Sequence, residues 1–153
     1  MNENKVRIFY ATVSGTARLV AEAIALAHET RVESVADLEE AIGDGAWPPE
    51  DKPALLCIST TGAGDMPVSA SNVCSALASQ PRYLGAFRYG MIALGDSSYA
   101  STHCGGGLAF DAFLQDLGAR RAGEILFLDA AETASPDEAA IEWFATWIGL
   151  VSN

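Results

Sequence analysis

The sequence predicts an α/β fold in which one parallel sheet is covered by helices on both faces. Short runs rich in β-branched and aromatic residues alternate with segments whose apolar residues recur at helical spacing. Two of these runs, residues 54–59 and 89–94, are almost continuously apolar, which is typical of strands buried on both faces. Alternation of this kind predicts a doubly wound, five-stranded parallel sheet.

The predicted elements follow one another along the whole chain. Strands are predicted at residues 6–11, 30–35, 54–59, 89–94 and 123–128. Helices are predicted around residues 19–27, 69–78 and 108–117 and from Ser135 onward, whereas the acidic residues 36–53 are predicted to be a loop.

Two helix ends carry specific signals. Gly118 is predicted to end the third helix as the residue after its C-cap. Ser135, followed by Pro136, Asp137 and Glu138, is predicted to start the last helix with a capping box. The inward stripe of that helix is predicted to consist of Ile141, Phe144, Ala145 and Ile148.

Composition and charge limit what the chain can bind. The 153 residues suit one domain over residues 1–153, and 50% are hydrophobic, enough for a core without disulfides. Because 20 Asp and Glu outnumber 9 Lys and Arg, the net charge is −11, which disfavours nucleic acid and membrane surfaces and favours a basic protein partner. Acidity that only aids solubility is the alternative. The 3 cysteines lack framework spacing and the N-terminus is polar, so a cytoplasmic protein is predicted. No metal site is expected, because no further ligands are grouped near His103 and Cys104.

The loop after the first strand is a candidate phosphate site. It combines hydroxyls and a glycine with no charge, and it leads into a helix whose first N–H groups favour an anion. It lacks the lysine of a P-loop, so a monophosphate fits better than a nucleoside triphosphate. Its residues are Thr12, Val13, Ser14, Gly15, Thr16 and Ala17. Taken alone, it is more often an ordinary helix cap rich in Ser and Thr.

The loops after the third and fourth strands add a backbone slot and an aromatic face. Glycines in the second loop permit a close approach of backbone to a flat ligand. In the third loop, Asp96 can accept a hydrogen bond from a heteroaromatic ring, and Tyr99 offers a planar face. The candidate residues are Thr60, Thr61, Gly62, Ala63 and Gly64 in one loop and Leu94, Gly95, Asp96 and Tyr99 in the other. Ligands of such sheets lie beyond the carboxyl ends of the strands, so a flat ring bearing a monophosphate would satisfy all three loops.

These three segments resemble the FMN-binding loops of the flavodoxins. Residues 10–17 look like the phosphate loop of that family, residues 59–65 like its second loop, and residues 94–99, leading to Cys104, like its third. The resemblance covers nearly the whole chain in the family's order. The Thr-x-Gly-Ala-Gly-Asp form of the second loop and the Trp-rich last helix are similar to the short-chain flavodoxins of the MioC type.

The resemblance implies a flavodoxin-like three-layer sandwich with strand order 2-1-3-4-5 and FMN as the cofactor. The phosphate would then be held by Thr12, Ser14, Gly15 and Thr16 and by the backbone of Ala17. The ring would lie between Thr60, Thr61 and Gly62 on one side and Tyr99 on the other, with Asp96 at its pyrimidine edge. Thr61 stands where many flavodoxins have an aromatic residue, so one ring face is expected to be less covered. Cys104 is one residue further from Tyr99 than is common and is left out of the site.

The function implied is electron carriage without catalytic residues. The expected protein is a monomer that shuttles single electrons from an NADPH-dependent flavodoxin or ferredoxin reductase to an acceptor enzyme, with partly electrostatic docking. The alternative is a flavodoxin-like FMN-dependent reductase of quinones or small substrates, although the chain has no long insertion to build a substrate pocket. A receiver-type signalling domain is rejected, because Thr12, Ser59 and Thr60 stand where it needs acidic residues.

Overall fold

Strands and helices alternate along the chain, of which the computed structural model describes residues 5–61, 64–80, 82–96, 104–130 and 134–152. The strands are β1 (Val6–Ala11), β2 (Val32–Asp37), β3 (Ala54–Ile58), β4 (Arg88–Gly95), β5 (Arg120–Arg121) and β6 (Leu126–Asp129). The helices are α1 (Thr16–Ala27), α2 (Leu38–Gly43), α3 (Val68–Ser79), α4 (Gly105–Asp116) and α5 (Pro136–Val151).

The strands form one parallel sheet in the order β2-β1-β3-β4-β5, which confirms the predicted order 2-1-3-4-5. The last position is shared by two short strands, because β5 pairs with the start of β4 and β6 with its end. Gly123, between them, has a φ of 76°, a left-handed conformation that interrupts the ladder. The prediction of one continuous strand over residues 123–128 is therefore wrong.

Two apolar layers sandwich the sheet, as the doubly wound prediction requires. In β1, Ile8 packs with α1 and α5 on one face, whereas Phe9 packs with α2, α3 and α4 on the other. Every residue of β3 is buried, because that strand lies centrally and is covered on both faces. The continuous apolar run therefore marked a central strand, as predicted.

One predicted loop and the predicted starts of one strand and one helix are wrong. The segment 36–53 contains α2, which begins where the carboxylate of Asp37 accepts hydrogen bonds from the backbone N–H groups of Glu39 and Glu40 at 3.0 and 3.1 Å. The strand β2 begins at Val32 rather than at residue 30. The helix α4 begins at Gly105, earlier than residue 108, although its first three residues are glycines, which have low helix propensity.

Of the two predicted helix ends, the glycine C-cap of α4 is confirmed and the capping box of α5 is wrong. Gly118 has a φ of 95°, and hydrogen bonds from Gly118 to Gln115 and from Ala119 to Leu114 form the predicted glycine C-cap of α4. Ser135 makes no side-chain capping bond, so the predicted capping box is wrong, although Pro136 does open α5. Ala145 is exposed rather than inward. The buried face of α5 consists of Ala140, Phe144, Trp147, Ile148 and Val151.

The buried thiol of Cys57 makes stability depend on alkaline pH. Burial raises its pKa from 9.0 to about 12, so unfolding above pH 9 releases a proton that the folded state retains. The contribution of the protonated Cys57 thiol to the free energy of unfolding is complete below pH 9. It is lost as the pH rises towards 12, at about 1.4 kcal/mol per pH unit for one proton.

We expect Cys57→Ala to flatten this alkaline decline, whatever the substitution costs at neutral pH. The measurement is urea unfolding of wild type and variant between pH 8 and pH 11. Cys74→Ala is the comparison: burial raises the pKa of that thiol to about 11, so up to about pH 10 this variant should flatten the decline nearly as much as Cys57→Ala does. An unchanged slope for Cys57→Ala would contradict the prediction.

Among the described helices, none combines the length and apolarity that crossing a lipid bilayer requires.

Candidate functional site

The three predicted loops meet at the carboxyl edge of the sheet. The backbone N–H of Ser59, just after β3, donates to the carbonyl of Ala11 at the end of β1 at 2.9 Å. The hydroxyl of Thr60 donates to the carbonyl of Leu94, near the end of β4, at 2.8 Å. Direct hydrogen bonds therefore connect the starting points of all three loops across β1, β3 and β4.

The first loop turns sharply into α1 and leaves polar groups exposed. Gly15, the N-cap, has a φ of 97°, and its N–H donates to Oγ1 of Thr12 at 2.8 Å. Ser14 and Thr16 are exposed, as is Val13, whereas Ala17 is buried and presents only backbone. No acidic residue lies in the first turn of α1, and no side chain caps it. This helix start therefore retains donors for an anion.

The second loop is held by its own backbone. The N–H of Thr61 donates to the carbonyl of Asp65 at 2.8 Å, and the N–H of Gly64 returns to the carbonyl of Thr61 at 2.9 Å. Oγ1 of Thr61 also accepts from the N–H of Asp65 at 3.1 Å. Gly64 has a φ of 91°, which glycine adopts without strain. Gly62 and Ala63, predicted here, lie outside the described residues.

The third loop leaves the sheet at the end of β4. Leu94 is buried, and the carbonyl of Gly95 accepts a hydrogen bond from the N–H of Ala130 at 2.8 Å, which anchors this end against the segment after β6. Asp96 is partly exposed and has an interaction partner. Tyr99, predicted to stack on the ring, lies outside the described residues.

Two glycines that the sequence reasoning did not assign bring α4 against this edge. A Cβ at Gly106 would lie 2.2 Å from the backbone oxygen of Ser59, and one at Gly107 would lie 2.5 Å from Cβ of Ala93. Only glycine permits so close an approach of helix backbone to strand ends. The signal was present in the sequence, because three consecutive glycines at a helix start cost helix propensity and call for a packing reason.

The thiol of Cys104 lies against β4. Its side chain is buried, with Sγ 3.6 Å from the carbonyl oxygen of Ala93. Burial and, to a smaller extent, the charge of Asp129 raise its pKa. The thiol therefore stays protonated near neutral pH and is a poor nucleophile.

Acidic side chains lie at the end of β2, at the start of α2 and in the second loop. Burial raises the pKa of Tyr10, and the carboxylates of Asp37 and Glu40 raise it further, against a lowering by Arg18. Glu39, also in the first turn of α2, and Asp65 in the second loop are exposed at the same edge of the sheet. We call Asp37, Glu39, Glu40 and Asp65 the acidic rim.

Within the described ranges, no cluster of three or more His, Cys, Asp and Glu side chains is arranged to hold a metal ion.

Comparisons with known proteins all point to one family. The sequence profile of the family described as Flavodoxin matches residues 8–144. "Flavodoxin YqcA" of Pectobacterium carotovorum is 40% identical over 147 residues, covering 96% of this chain and 97% of that protein. "Protein MioC" of Escherichia coli is 35% identical over 114 residues, which cover 74% of this chain and 72% of that protein. The structure of a mutant flavodoxin from Pseudomonas aeruginosa, 32% identical, superposes with a TM-score of 0.80 over 97% of this chain and 99% of its own.

Proposed function

The chain belongs to the flavodoxin family, and on that premise we propose that its three carboxyl-edge loops hold FMN and that it carries electrons between a reductase and an acceptor enzyme. Flavodoxins are FMN-binding electron carriers rather than enzymes. The observation that carries the proposal is the convergence of the loops after β1, β3 and β4, joined by hydrogen bonds from Ser59 to Ala11 and from Thr60 to Leu94.

The residues of the first loop fit a phosphate. The start of α1 offers backbone N–H groups without a capping side chain, and its first turn contains no carboxylate to repel an anion. Ser14 and Thr16 are exposed there and can donate from their hydroxyls. A Cβ at Gly15 would meet no atom within 4 Å, so the space outside the loop is open to a ligand. We assign the phosphate to residues 12–17.

The other two loops fit a planar ring. Bound FMN supplies a ring that takes up and releases electrons. Gly64, with its left-handed φ, and Gly95 would let backbone lie close to the ring edge, and Leu94 is buried at the end of β4. We assign the ring to Thr60, Thr61, Gly62, Ala63 and Gly64 and to Leu94, Gly95, Asp96 and Tyr99. Asp65, in the second loop, would disfavour added negative charge on the ring.

A charge placed in the phosphate loop tests the assignment. We expect Thr16→Asp to raise the FMN dissociation constant about 100-fold, because a carboxylate near the phosphate costs roughly 3 kcal/mol at a partly screened contact. The apoprotein should be equally or slightly more stable, since an acid in the first turn of a helix is favourable. Fluorescence titration with FMN measures the effect.

Riboflavin, which lacks the phosphate, separates charge repulsion from damage to the ring site. Thr16→Asp should change riboflavin affinity little, and Thr16→Ser should bind FMN as wild type does. If Thr16→Asp binds FMN as tightly as wild type, the phosphate does not lie at this loop. If wild type binds neither FMN nor riboflavin, the proposed function fails.

For partners, the acidic rim supports docking to a basic surface. We assign the donor to an NADPH-dependent flavodoxin or ferredoxin reductase and the acceptor to a redox enzyme, with the carrier acting as a monomer in the cytoplasm, where its three free thiols stay reduced. In a reconstituted assay, NADPH should reduce the FMN-loaded protein only when such a reductase is added, at a rate that falls with salt. Rapid NADPH oxidation by the protein alone would favour the reductase alternative.

A further inference from the structure

The hydroxyl of Thr60 joins three separate segments at the edge of the sheet. It donates to the carbonyl of Leu94 at 2.8 Å and accepts from the N–H of Gly106 at 3.0 Å. These partners belong to the end of β4 and to the first turn of α4, while Thr60 itself follows β3. One side chain thus connects the second loop, the third loop and the helix that follows it.

The space around this hydroxyl is set by backbone contact. A Cβ added to Gly106 would lie 2.2 Å from the oxygen of Ser59 and 3.1 Å from both Cα and Oγ1 of Thr60. A hydroxyl can donate one hydrogen bond while accepting another, and among side chains as small as this only Ser and Thr carry one. Removing it leaves a backbone carbonyl and a backbone N–H in a partly buried place without that partner.

We infer that Thr60 is a positioning residue, which sets the spacing between the second and third loops of the FMN site through its bonds to Leu94 and Gly106. The inference rests on the proposed function. Thr61 follows Thr60 directly and closes the second loop through its hydrogen bonds with Asp65. Gly95, the first glycine of the third loop, follows Leu94 directly. A shift between Thr60 and Leu94 therefore reaches both loops within one residue.

The hydrogen bond to Leu94 also distinguishes this positioning role from a hydrogen bond donated by the Thr60 hydroxyl to the ring. Its single proton is already donated to Leu94, so the hydroxyl has none to donate to a ligand. We therefore attribute the effect of the hydroxyl on the cofactor to the separation of two loops that must match a rigid ring, whatever contact the rest of Thr60 makes with that ring. Binding sites lose affinity when supporting groups move by about 1 Å, so a spacing error should appear as weaker binding.

The test compares Thr60→Val, which keeps the shape but loses the hydroxyl, with Thr60→Ser, which keeps the hydroxyl. We expect Thr60→Val to raise the FMN dissociation constant at least about tenfold and Thr60→Ser to stay within about threefold of wild type. Thr146→Val, at an exposed position of α5, is the matched control and should bind FMN as wild type does. Affinity is measured at a temperature where thermal unfolding shows every apoprotein to be folded. If Thr60→Val does not fold, Thr60→Ala takes its place.

Hydrogen exchange in the apoprotein tests the link without the cofactor. The N–H of Gly106 should be protected in wild type and Thr60→Ser and should exchange at least about tenfold faster in Thr60→Val. Faster exchange and lower stability with unchanged FMN affinity would reduce Thr60 to a structural role and overturn the inference. Unchanged exchange would overturn the link itself. If wild type does not bind FMN, the proposed function fails, while the exchange result still decides whether Thr60 holds Gly106.

Discussion

Gly106→Ala is expected to destabilise the apoprotein by about 2–3 kcal/mol, near the upper end of what overpacking costs. The added methyl would lie 2.2 Å from the backbone oxygen of Ser59, a contact that no side-chain rotation relieves. Either α4 or the end of β3 must move, although alanine favours helix by about 1 kcal/mol over glycine. Because that movement separates Thr60 from Gly106, FMN affinity should fall as well.

A second helical glycine supplies the matched control. Gly149 lies in α5, and a Cβ there would meet no atom within 4 Å. Gly149→Ala should therefore stabilise the protein by about 0.5–1 kcal/mol, through helix propensity alone. Urea unfolding measures the change in the free energy of unfolding for each variant, and the two changes should have opposite signs. If Gly106→Ala were stabilising too, the close approach of α4 to β3 would be wrong.

Trp147→Ala is expected to cost about 3–5 kcal/mol, the usual range for removing a large buried aromatic side chain. Trp147 is 1% exposed, and its Nε1 donates to the carbonyl of Ala122 at 3.0 Å. A Cβ at Gly90 in β4 would lie 2.4 Å from its indole ring, so the side chain packs directly on the sheet backbone. Because small domains are stable by only about 5–15 kcal/mol, this variant should be close to unfolding at physiological temperature.

The neighbouring tryptophan provides the comparison. Trp143 stacks on Trp147 with ring centroids 5.8 Å apart but is only partly buried. Trp143→Ala should therefore cost less than half as much as Trp147→Ala, measured by urea unfolding of the apoproteins. The cost of Trp147→Phe should lie between those of the two alanine variants, because phenylalanine keeps much of the packing but loses the hydrogen bond to Ala122. Equal losses for both alanine variants would contradict this account of the α5 face.

The sequence predicted the central part of the fold well, because its signals there are local and strong. The continuous apolar run of β3 can be covered only by helices on both faces, and the structure places it centrally. Gly118 ends α4 as predicted, since few other residues adopt a φ of 95° without strain. The positions of the three candidate loops followed from the ends of the predicted strands, because parallel strands bring their carboxyl ends to one edge.

Prediction failed where weak local signals are decided by partners far along the chain. The helix α2 has six residues and one capping aspartate, too little to distinguish it from an acidic loop. The split of the last strand depends on which parts of β4 remain available for pairing. The exposed position of Ala145 depends on how α5 is rotated against α1 and the sheet, and an alanine adds little to either orientation.

By itself, the sequence determined the layered α/β architecture, the order of its elements and the three loops that carry the candidate site, because periodicity and turn residues act over short distances. Only the tertiary structure decided what holds those loops together. The partners of the Thr60 hydroxyl lie 34 and 46 residues away, and the glycines of α4 matter only where the helix meets β3 and β4. A hydroxyl or a missing Cβ has no such meaning until folding brings its neighbours within contact distance.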